Sequence, residues 1–170
     1  MGVLSPSFEV KPLREVGEGK LVRYSPDGNT DVYAITARLF NDKPALVVLD
    51  SLSLDRPIYI SEKENGHIVA VLEDWRIEPN MISVSTVSRR HARNTIGSIL
   101  VREGEPRTAS IIAQDGMSLS LESFKVEQIP DVSFAAVTTW KLWVPQFDDG
   151  RQPAWKAIFC FPKQSEQATP

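Results

Sequence analysis

Residues 57–78 read PIYISEKENGHIVAVLEDWRIE. Two short apolar runs, 57–60 and 67–72, stand on either side of Glu64-Asn65-Gly66. Asn-Gly supplies the positive φ needed at both central positions of a type I′ turn, the strongest short-range hairpin signal. The expected reading is strand, turn, strand. The device recurs at Asp115-Gly116, between 108–113 and 118–126. Ser25-Pro26-Asp27-Gly28 sets Pro where a type I turn wants its preset φ and Gly at the fourth position. It should join 20–24 to a strand starting near Val32.

Outward from these turns the chain keeps a period of two. Val32, Ala34 and Thr36 alternate with Tyr33, Ile35 and Ala37. Residues 44–49 form a continuous apolar run, the pattern of a strand buried on both faces. Residues 140–144 and 155–161 make a final pair joined by 145–153. Ser88 could cap a short helix over 88–100, but Thr95, Ile96, Gly97 and Ile99 weaken it. Residues 131–143 fit both periods, and Val132, Val137, Thr138 and Thr139 favour a strand. The pattern predicts an all-β chain: an antiparallel sandwich or partly open barrel of about ten short strands, with at most one short helix. One domain should span 1–162, with 1–15 an extended arm or edge segment and 163–170 a frayed polar tail.

Leu72-Glu73-Asp74-Trp75-Arg76-Ile77-Glu78 parallels Leu121-Glu122-Ser123-Phe124-Lys125-Val126-Glu127. Each segment follows a Gly-containing turn and precedes a proline. Two accounts stand: an internal duplication of four-strand units, 31–80 and 81–130, or two unrelated hairpins with the same chemistry. On either account Trp75, Ile77, Phe124 and Val126 face inward.

The 170 residues carry 19 Lys+Arg and 22 Asp+Glu, with 42% hydrophobic and 24% charged residues. That composition excludes a disordered chain. The single cysteine, Cys160, excludes an internal disulfide and a cysteine zinc site. In its apolar strand it behaves as a small hydrophobe. The N-terminal residues show neither a positive n-region nor an apolar h-region, and no run reaches membrane-span length. The expectation is a cytoplasmic protein or a virion component, with phage and bacterial proteins compatible in composition.

No nucleotide-binding glycine loop, nucleophile elbow or histidine metal spacing is present in the sequence. Asp27, Asn29 and Asp31 begin like a calcium loop, which Val32 and Arg38 then break. No catalytic, cofactor or metal residue is therefore assigned. Residues 41–80 carry 4 basic and 8 acidic side chains, whereas 81–110 carry 5 basic and 2 acidic. The basic side is concentrated in Arg89, Arg90, His91 and Arg93, with Arg38 and Lys43 able to extend it. Arginines so grouped suit an acidic partner. The negative net charge of −3, and the lack of aromatics interleaved with the arginines, disfavour nucleic acid. Trp143 and Trp155 in the C-terminal hairpin are interface candidates.

The reading is a non-catalytic β-domain for protein–protein binding or assembly, through the arginine loop and the tryptophan hairpin. A second copy of the chain is one such partner; no membrane is involved. A small-molecule or saccharide-binding domain is the alternative, and a carboxylate hydrolase working in a barrel mouth the third. If the inward assignment holds, Trp75→Ala and Phe124→Ala each lose the burial of a large side chain, roughly 1.5–3 kcal/mol. Thermal melts should fall for both variants. Two unchanged melting temperatures would contradict the assignment.

Overall fold

The computed structural model describes residues 8–25, 28, 30–49, 59–62, 67–72, 74–87, 95–102, 108–129, 134–146 and 154–162. They form three antiparallel sheets that do not close into a barrel. The first runs β1 (Phe8–Pro12), β6 (Ile68–Leu72), β2 (Leu21–Tyr24), β3 (Val32–Arg38), β4 (Pro44–Val48), β5 (Tyr59–Glu62) in spatial order. The second runs β8 (Val84–Val87), β13 (Phe134–Val137), β9 (Ile99–Arg102), β10 (Thr108–Ile112), β11 (Met117–Ser120), β12 (Val126–Gln128). The third holds β15 (Ala154–Phe161), β14 (Trp140–Gln146) and β7 (Arg76–Pro79). The all-β expectation holds, and β1 lies at an edge of the first sheet. The helical elements described are single 3-10 turns such as Leu13–Glu15. Of the expected helix at 88–100, residues 88–94 lie outside the described residues, and β9 begins at Ile99.

Adding seven to each strand number of the first sheet reproduces the order of the second. The chain therefore repeats a topology, but the unit is β1–β7 followed by β8–β14, larger than the units expected at 31–80 and 81–130. Among the described residues β15 has no counterpart in the first unit. Side chains follow the same equivalence. Trp75 Nε1 donates to Gly19 O at 3.1 Å, and Trp140 Nε1 donates to Gly97 O at 2.7 Å. Thr36 N donates to Lys20 O as Ile112 N donates to Ser98 O, both at 2.9 Å. Trp75 thus matches Trp140, not Phe124. Trp75 and Phe124 instead touch, edge to face, with ring centroids 6.1 Å apart.

The central strands of each six-stranded sheet bury residues on both faces. Leu21, Ile35, Ala37 and Val47 of the first sheet meet their equivalents Ile99, Ile111, Ala113 and Leu119 in one central core. The alternate residues Val22, Ala34, Leu46 and Val48 fill a separate core with Val69 and Val71. Leu100, Ile112, Phe134 and Ala136 do the same for the second sheet. Trp140, Leu142 and Phe159 of the third sheet cover the central core.

Two expected strand-and-turn assignments change. β5 and β6 do not form a hairpin: β5 lies at an edge beside β4, and β6 lies between β1 and β2. Residues 63–66 lie outside the described residues. Burying Val69 and Val71, roughly 1.5–3 kcal/mol each, outweighs the local turn preference. The expected strand 118–126 breaks after Ser120: Phe124 turns to φ 53 and its N–H bonds Ser120 O at 3.0 Å. The Asp115-Gly116 turn does join β10 to β11, with φ 59 and 70. The final pair forms as expected, with a bulge between Leu142 and Trp143.

Gly97 holds φ 90, and a Cβ there would strike the Phe161 ring. Gly28 holds φ 76 with open space around it. Gly28→Ala should cost about 1–2 kcal/mol, the left-handed penalty alone. Gly97→Ala adds an overpacking cost of roughly 1–3 kcal/mol. Denaturant titrations of the two variants check this; equal losses would contradict the packing of Phe161 on Gly97.

Candidate functional site

The third sheet has unlike faces because β14 alternates. Trp140, Leu142 and Val144 point into the protein and are buried. Lys141 and Trp143 take the opposite face. The register sets Arg76 of β7 beside Trp143 and Glu78 beside Lys141. On the other side it sets Trp155 of β15 beside Pro145. The outer face thus gathers side chains from three strands.

Arg76 lies at its centre. Its Cζ is 4.4 Å from the Trp155 ring centroid and 5.7 Å from that of Trp143. Lys141 Nζ stands 5.9 Å from the Trp143 ring. Both cations are therefore held over aromatic rings. Neither forms an ion pair among the described residues, where pairs involve Lys11, Arg14, Arg23 and Arg38. Trp143 Nε1 is buried without a hydrogen-bond partner among the described residues.

The face runs into a cleft of about 690 Å³, a volume within the range of small-molecule sites. Glu78, Met81, Thr139, Lys141, Cys160 and Phe161 are among its lining residues. Lys141 belongs to both the face and the cleft. Thr139 Oγ1 is buried there without a partner among the described residues. Cys160 sits opposite Lys141 in register. Glu78 is the cleft's one carboxylate among the described residues. Among the described residues, no three of His, Cys, Asp and Glu converge as a metal site would require.

The structure brings Trp143 and Trp155, both read from the sequence, onto one surface. Arg89, Arg90, His91 and Arg93 lie outside the described residues. Arg38, which the sequence reading added to the basic patch, is engaged elsewhere: its Nε donates to Glu18 Oε1 at 2.7 Å, and Asp42 stands 3.7 Å away. The hydrogen bond and charge of Glu18 raise its pKa above the ordinary arginine value. Arg76 and Lys141 were missed. Their signal was available in the duplication, as Trp75-Arg76-Ile77 matching Trp140-Lys141-Leu142.

No helix among the described residues is long and apolar enough to cross a membrane. Comparison with protein-family models, with curated proteins and with solved structures finds no match for the chain.

Proposed function

We propose that this chain is a non-catalytic β-domain that binds another protein through the outer face of its third sheet. The observation that supports it is Arg76, held over two indoles and without an acid of its own among the described residues. An arginine stacked on its flat face keeps its in-plane N–H fork free for a carboxylate. Tryptophan and arginine are also the side chains that most often dominate binding energy at interfaces. The partner surface is therefore acidic beside an apolar patch, with Lys141 adding a second positive contact. Arg89, Arg90, His91 and Arg93, outside the described residues, are a second proposed contact with the same charge preference.

The cleft favours a second reading, a small polar ligand or saccharide held between Lys141 and Glu78 against Phe161. A carboxylate hydrolase gains no such support, because that chemistry needs two facing acids and, among the described residues, the cleft lining supplies Glu78 alone.

Titration with an array of extended acidic peptides, read by indole fluorescence, tests the first reading. Saturable quenching is expected, weakened about tenfold or more in Arg76→Ala and Trp155→Ala. The melting temperature of Arg76→Ala should hold, because Arg76 is exposed. Undiminished peptide binding in both variants would contradict it. Quenching by sugars that survives Arg76→Ala would support the second reading.

A further inference from the structure

We propose that β7 pairs antiparallel with β7 of a second copy of this chain, joining two third sheets into one. The proposal rests on the protein-binding reading and names a partner for it.

The first observation is an open strand edge. Asn80 N–H donates to Thr139 O at 2.9 Å, so Asn80 turns its backbone toward β14. By the alternation of an antiparallel ladder, Ile77 and Pro79 turn theirs to the other side. No strand pairs with that side among the described residues.

The second observation comes from the duplication. β14, the equivalent of β7, is covered on its corresponding side by β15. Leu142 and Trp140 are accordingly 0% and 2% exposed. Their equivalents Ile77 and Trp75 are only half-buried. Among the described residues, no strand completes the first unit as β15 completes the second.

The third observation is charge. Edges guarded against pairing usually carry like charges, most often lysine. β7 carries one charge of each sign, Arg76 and Glu78, on the same face. An antiparallel copy in register about Ile77 sets Arg76 opposite Glu78 of the second copy, and Glu78 opposite the second Arg76. Opposite charges directly across a strand pair attract, and like charges repel. Arg76 thereby gains the carboxylate that its own chain does not supply among the described residues. Pro79, without an N–H, ends the ladder and fixes its register.

The arrangement is isologous and closes at two copies. Its two-fold axis stands perpendicular to the joined sheet, so both outer faces lie on one side. Two Trp143–Arg76–Trp155 groups then form a single doubled surface.

Sedimentation of the full chain over a range of concentrations tests the proposal. A reversible dimer is expected for the wild type. Glu78→Arg places arginines opposite one another and should weaken the dimer roughly tenfold or more. Exchanging both charges, Arg76→Glu with Glu78→Arg, should restore it. A wild-type chain that stays monomeric, a Glu78→Arg dimer of unchanged affinity, or a double variant without rescue would each overturn the proposal. Acidic-peptide binding by the wild-type chain is measured on the same samples. A monomeric wild type that still binds those peptides would sink the β7 pairing and spare the binding face.

Discussion

Along β4 and the residue after it, alternate side chains go two ways. Leu46 and Val48 enter the first sheet's own core, while Val47 and Leu49 enter the core shared with the second sheet. The second sheet divides in the same manner, with Ile111 in the shared core and Ile112 in its own. A strand buried on both faces has no polar side to give to solvent. Each six-stranded sheet therefore needs the other, and the third sheet closes the shared core over Trp140 and Leu142. Removing water from the shared face is the favourable term that holds the two units together.

That constraint also places the proposed binding face. With the inner face of β14 committed to the core, its outer face is free to carry polar and aromatic groups. The two units meet where β7 pairs with β14. Equivalent tryptophans pin each unit at that junction: Trp75 to Gly19 and Trp140 to Gly97. An aromatic ring lies on each of these glycines, Phe124 on Gly19 and Phe161 on Gly97. Phe124 comes from the second unit, so it also ties the second unit to the first. The residues just after the two tryptophans, Arg76 and Lys141, are exposed and become the cations of the outer face.

Much of this was legible in the residues. The apolar run 44–49 announced a doubly buried strand, and Asp115-Gly116 announced its turn. Trp140 and Trp143 were separable by their alternation. The Asn65-Gly66 segment misled because a turn signal is local, whereas β6 is placed by what Val69 and Val71 cover. The repeat was visible but paired wrongly. Leu121 to Glu127 resembles Leu72 to Glu78 in residue type, yet it crosses a reversal at Phe124 that no alternation predicts. The better match, Trp75-Arg76-Ile77 with Trp140-Lys141-Leu142, follows strands of unlike turn and loop lengths, which hides it from a fixed spacing. The cation at the centre of the face went unread for the same reason: Arg76 approaches Trp155 only through pairing between strands far apart in sequence.

Differential scanning calorimetry of the intact chain tests the shared core most directly. Two units that bury a common face should unfold together, giving one transition whose calorimetric and van't Hoff enthalpies agree. Two resolved transitions, or a calorimetric enthalpy well above the van't Hoff value, would mean that each unit stands alone and would contradict the account.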